Sequence, residues 1–195
     1  MKEKRLESLK LLLQKEADEK WLGKKLVFGE GNPKSAIVMI GEAPGGDEER
    51  EGRPFVGKAG KNLSEFLFSA GLKREGIYIT NVVKLRPVKK SEKTGRPVNR
   101  PPDAEEISFF LPFLFEELNI IGPKLIITLG NVPLKAVFKD EGASIGKLHG
   151  QASFSNGFNV FPLYHPAAVI YNKSLKATYY EDIEKIGEYI KKEQI

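Results

Sequence analysis

The chain has no cysteine and only two histidines, His149 and His165, among its 195 residues. The first absence excludes disulfides, thiolate nucleophiles and sulfur-ligated metal, and the second leaves too few imidazoles for a histidine-built zinc site. No protein metal site is expected. No apolar run approaches the roughly 18 residues that span a bilayer, and Met1-Lys2-Glu3-Lys4-Arg5 is too charged for a signal-peptide core. The expectation is a cytoplasmic, monomeric protein with no membrane partner. Repeats and low-complexity tracts are also missing. With 41% hydrophobic content, the length suits one domain over residues 1–195.

What is present begins with a modest positive balance, 31 Lys and Arg against 26 Asp and Glu. A net charge of +5 suits a polyanionic partner and also an ordinary soluble surface. Leu6, Leu9, Leu13 and Ala17 recur at helical spacing and predict a helix near Glu3–Trp21, within an N-terminal helical extension over 1–26. Ala36–Ile40, Ile77–Val83, Leu125–Leu129 and Val160–Leu163 read as strands. Leu63, Phe66, Leu67 and Ala70 mark a helix closed by Gly71, Glu105–Leu118 a helix kinked at Pro112, and Ile183, Ile186 and Ile190 a terminal helix. This alternation predicts the α/β class: a single-domain, three-layer α/β/α sandwich with a central four-stranded, mostly parallel sheet. Residues 89–100 carry Lys89, Lys90, Lys93, Arg96 and Arg100 without apolar periodicity and read as a flexible basic loop. That loop is either a solvated face or, with nearby Lys84 and Arg86, a set of phosphate contacts.

Two polar loops follow predicted strands: Gly41-Glu42-Ala43-Pro44-Gly45 and Tyr164-His165-Pro166-Ala167-Ala168. Ligands of open α/β sheets bind outside the carboxyl ends of the strands, so a carboxylate and a histidine delivered there imply chemistry. Asn81 interrupts the β-branched run Ile77–Val83 and asks for a polar partner. Two textual matches fail. Gly52-Arg53-Pro54-Phe55-Val56-Gly57-Lys58 has P-loop spacing, but Ala59 stands where a magnesium-binding hydroxyl is needed and Pro54 removes an amide donor. Gly142-Ala143-Ser144-Ile145-Gly146 has nucleophile-elbow spacing without the strand that would present a strained serine. His149 reads as a surface or loop residue.

The two loops, the Asn81 strand and Arg53-Pro54-Phe55-Val56-Gly57 together resemble the uracil-DNA glycosylases, in particular their family 4 type. The resemblance runs from about Val27-Phe28-Gly29-Glu30-Gly31-Asn32-Pro33 to the C-terminal helix. It implies uracil-containing DNA as partner, free uracil as product, and a monofunctional glycosylase that flips uracil out and hydrolyses its N-glycosidic bond to start base-excision repair. Phe55, core by composition alone, becomes the ring that stacks on the flipped base; Asn81 reads the uracil edge; His165 donates to O2 as the leaving group becomes anionic. Glu42 is a candidate for a catalytic contribution, on the water or the cationic sugar, or for structuring its loop through backbone amides, with Ala43 where the best-known branch carries a water-activating aspartate. Gly41 lies against the base, and Glu48 fills the space of the thymine methyl. Val169 and Ile170 are candidates for an apolar wedge or for core caps, and Asn131, after Gly130, for a helix start that meets phosphate. Family 4 enzymes hold an iron–sulfur cluster on four cysteines; Leu85 and Phe110 stand at two of those places, so no cofactor is expected. The rival readings are a catalytically weak uracil- or DNA-binding module of the same fold, and a P-loop nucleotidase.

Overall fold

A six-stranded sheet forms the middle layer of the computed structural model, which describes residues 1–195 except the side chain of Ile170. In chain order the strands are β1 (Glu30–Gly31), β2 (Ile37–Gly41), β3 (Tyr78–Asn81), β4 (Val88–Lys90), β5 (Pro97–Asn99), β6 (Leu125–Leu129), β7 (Ser153–Ser155) and β8 (Phe158–Leu163). The helices are α1 (Lys2–Lys20), α2 (Gly46–Glu51), α3 (Lys58–Ser69), α4 (Ala104–Ile121), α5 (Asn131–Phe138), α6 (Ile145–Leu148), α7 (Pro166–Tyr171) and α8 (Lys176–Lys192). The sheet order is β1-β3-β2-β6-β8-β7. The four central strands run parallel, as the alternation predicts, while β1 and β7 pair antiparallel at the edges.

Those two edge strands correct the four-stranded expectation. β1 is two residues long, too short for any periodic signal. β7 is joined to β8 by Asn156-Gly157 with φ of 49° and 86°, the left-handed pair that matches the twist of a tight hairpin. A second correction concerns the basic segment, which is a hairpin of β4 and β5, not a flexible loop.

The central strands are mainly apolar and buried because helices cover both faces. Val38, Ile40, Tyr78, Ile126 and Val160 pack with Leu6 and Leu13 of α1, Phe110, Leu114 and Leu118 of α4, and Val137 of α5. Ile37, Met39, Ile79, Ile127 and Phe161 pack with Leu63, Phe66 and Leu67 of α3 and with Ile183 and Ile186 of α8. α4 outruns its predicted span and continues across Pro112. Asp103 accepts from the Glu106 amide at 2.9 Å, Glu106 accepts from the Asp103 amide at 2.9 Å, and Gly122 closes the helix with φ of 59°.

Leu85 and Phe110 lie in one apolar cluster, 3% and 0% exposed. Trp21 stacks on Phe110 with centroids 5.6 Å apart and meets Phe109 edge-on at 4.8 Å. Leu26 bridges to Leu85 across the backbone. Carbon fills both places that the resemblance gives to cluster ligands, and a donor set without sulfur does not fit an iron–sulfur cluster. No helix among the described residues is long and apolar enough to cross a membrane.

Candidate functional site

A cavity of about 310 Å³ opens at the carboxyl ends of β2, β3 and β8, where Phe55, Asn81 and His165 meet in one wall. The packing behind it is close. Gly41 and Asn81 are register partners on β2 and β3. A Cβ on Gly41 would overlap Oδ1 of Asn81 and stand 2.5 Å from Cζ of Phe55, so only glycine lets the amide and the ring share the space. Gly41 thus shapes the site from beneath the wall.

Asn81 is 3% exposed, and its carboxamide makes no hydrogen bond to any described residue. A buried amide is normally paired within the protein; this one faces the cavity with its donors and acceptor free.

His165 caps the N-terminus of α7, and its Nδ1 accepts from the Ala167 amide at 3.1 Å. That bond requires the lone pair on Nδ1, so a neutral ring carries its proton on Nε2. Burial depresses the pKa to about 4, with the Glu48 carboxylate acting weakly in the opposite sense. At neutral pH the side chain is an uncharged N–H donor. Its ring lies 5.9 Å from that of Phe55. Gly130, beside His165, has a φ of 94°, a turn that favours glycine.

Glu48 is the third residue of α2, and it ties two loops together. One carboxylate oxygen accepts from the Gly45 amide at 3.2 Å and the other from the Gly57 amide at 2.9 Å. The carboxylate is thereby fixed in the cavity wall. Glu42 is less central: half-buried after β2, it lies outside that wall and pairs with no basic group among the described residues. Burial raises its pKa above the ordinary carboxylate value.

The DNA-facing assignments divide. Lys89 and Lys90 are exposed on the hairpin. Lys84 is a correction: it is 2% exposed, and its Nζ donates to Thr80 Oγ1 at 2.5 Å, Asn81 O at 2.6 Å and Glu117 Oε2 at 2.8 Å. An ammonium in that apolar setting needs a buried carboxylate, and so it cannot reach phosphate. Arg86 bridges Glu49 at 3.1 Å and Asn99 at 2.8 Å beside the cavity. Asn131 begins α5, and its Oδ1 accepts from the Ile145 amide at 2.8 Å. Val169 packs against the α3–α8 core, which favours the cap reading over the wedge. The Ile170 side chain lies outside the described residues.

Three features escape the sequence reading. Asn99, from β5, joins the cavity wall beside Gly45, where a Cβ would stand 3.3 Å from its Nδ2. Tyr171, 88% exposed, stands at the cavity mouth at the end of α7. His149 is not a free loop residue: its Nδ1 pairs at 2.7 Å with the fully buried Asp182, and its ring lies 4.9 Å from Tyr164. An aromatic a few residues beyond the histidine loop was a usable signal for Tyr171; the other two have none in the sequence.

Comparison with known proteins agrees with this geometry. The family model described as Uracil DNA glycosylase superfamily matches residues 28–186. A type-4 uracil-DNA glycosylase of Sulfurisphaera tokodaii is 44% identical over 170 residues, covering 83% of this chain and 73% of the relative. One from Archaeoglobus fulgidus is 41% identical over 175 residues, covering 86% and 83%. A third, from Thermotoga maritima, is 41% identical over 171 residues, covering 86% and 84%. The matched stretch contains every residue of the cavity wall, from Ala43 to Tyr171, and on that footing the chain belongs to the uracil-DNA glycosylase superfamily.

Proposed function

We propose that the cavity receives a uracil extruded from DNA and that the protein hydrolyses its N-glycosidic bond, leaving an abasic site with the backbone intact. The observation that carries this reading is the Asn81 carboxamide, buried in the wall yet without a partner among the described residues. Its oxygen can accept N3–H of uracil while its NH₂ donates to O4; cytosine, with an amino group at C4 and no hydrogen on N3, presents the opposite pattern. Phe55 supplies a flat face for the base.

Bond cleavage places negative charge on the uracil, felt at O2, while the sugar becomes cationic. His165 lines the same cavity with its proton on a neutral Nε2, so that N–H stabilises the charge as it develops without first needing a proton from solvent. Water completes the reaction, and no covalent lysine intermediate is involved. Glu42, half-buried beside the cavity, polarises the water or balances the sugar charge. The Glu48 carboxylate occupies the space a thymine methyl would need. The lysines of the hairpin and the start of α5 at Asn131 face the phosphates, and the protein acts as a monomer in the cytoplasm.

Release of free uracil from labelled DNA under single-turnover conditions tests the reading. Uracil should be released, and cytosine and thymine in matched control DNA should not. A binding module of the same fold would retain uracil-containing DNA and release no base.

A further inference from the structure

Phe55 has a φ of 53°, a left-handed conformation that bulky residues rarely adopt. Something must hold it there. The turn sends the carbonyls of Pro54 and Phe55 toward one guanidinium: Arg74 Nη2 donates to Pro54 O at 2.7 Å and Nη1 to Phe55 O at 3.3 Å. Arg74 is itself held by Glu30, 3.3 Å from Nη2, and the same carboxylate takes Nε and Nη2 of Arg53 at 2.9 and 3.1 Å. Burial works against the Glu30 charge, but hydrogen bonds from Arg53 and Arg74 outweigh it and keep the carboxyl below its ordinary pKa. A Cβ on Gly60 would overlap the Phe55 carbonyl, so the turn is seated in a space that glycine leaves open.

We propose that Arg74 is a positioning residue for base capture: by clamping the Pro54 and Phe55 carbonyls it sets the Phe55 ring in the cavity wall, and it acts on uracil only through that ring. The inference rests on reading the cavity as a uracil site. A fork of N–H donors is required, because a lysine ammonium cannot span two carbonyls and a carboxylate in this geometry.

The test is a double-mutant cycle in the full chain, comparing wild type, Arg74→Lys, Phe55→Ala and the double variant. Extrusion is read by 2-aminopurine placed beside the uracil, and cleavage by KM and kcat. Arg74→Lys should weaken extrusion and raise KM about tenfold, with a smaller change in kcat. In the Phe55→Ala background the same change should add almost nothing. Losses that multiply in the double variant, or wild-type extrusion in Arg74→Lys, overturn the proposal. Arg74→Gln, which keeps two N–H donors, serves as the second variant; if both variants fail to fold, Arg74 is a general scaffold residue and the proposal falls. Extrusion is measured without cleavage, so a wild-type chain that flips uracil but releases none counts against the proposed reaction, not against Arg74.

Discussion

Gly41 and Asn81 stand opposite each other at the ends of neighbouring parallel strands, so close that a single methyl group on Gly41 would overlap the Asn81 amide oxygen. The Gly41→Ala variant should therefore displace both Asn81 and Phe55, lowering kcat/KM for uracil excision by about tenfold or more while the fold survives, since over-packing typically costs about 1–3 kcal/mol. Steady-state kinetics beside thermal unfolding checks this. Full activity in the variant would mean that the amide has room to move and does not read the base from this position.

Removing His165 takes away a donor needed mainly in the transition state. His165→Ala should slow single-turnover cleavage by about 10²–10³ while binding of uracil-containing DNA changes little. 5-Fluorouracil leaves more readily as an anion, so its cleavage should suffer less. Equal losses on the two bases would make the histidine a scaffold residue.

The half-buried neutral imidazole also sets a pH dependence of stability. Its folded pKa of about 4 lies below the ordinary 6.5, so the unfolded chain takes up the proton first as pH falls. The stability tied to this group is complete above about pH 6.5 and is lost progressively down to about pH 4, amounting to about 3 kcal/mol. Urea unfolding at several pH values should show that slope in the wild type and its loss in His165→Ala.

Catalysis should have a different acid limb. Burial lifts the Glu42 pKa, so kcat/KM should fall on the acid side above the ordinary carboxylate range as Glu42 is protonated. Glu42→Gln should remove that limb and lower the rate by about tenfold or more. A wild-type profile in the variant would assign Glu42 to loop structure alone.

Lysines on the hairpin and in the core should respond in opposite ways. Neutralising Lys89 and Lys90 should weaken binding to every DNA sequence and reduce the salt slope by roughly 0.7–0.9 for each phosphate that is no longer neutralised. Lys84→Met should leave the slope unchanged, whereas Glu117→Ala, which strands the Lys84 ammonium, should destabilise the fold by about 3–5 kcal/mol. Salt titrations of DNA affinity and denaturant unfolding separate the two groups.

The sequence by itself determined the parallel centre of the sheet and the loops that bear Gly41, Asn81 and His165. Runs such as Ile37–Ile40 and Leu125–Leu129 must be buried on both faces, and polar residues directly after such runs have nowhere to go but the carboxyl edge. Those inferences use neighbours within about one element length, where hydrophobic period and turn chemistry carry the signal. Tertiary structure decided what depends on distant partners. Lys84 reads locally as a surface charge beside Arg86, but Glu117, on α4, draws it inside. Asn99 reaches the cavity only because the hairpin brings it beside Gly45, and His149 finds Asp182 only because α8 packs against β8. Phe55 has no local signal for its left-handed turn; Arg74 holds it and Gly60 leaves it room, both from outside the motif. Side-chain period registers which face of an element is apolar, but a charge buried against a counter-charge and a backbone held in a strained turn are properties of packing, and packing exists only once the elements have met.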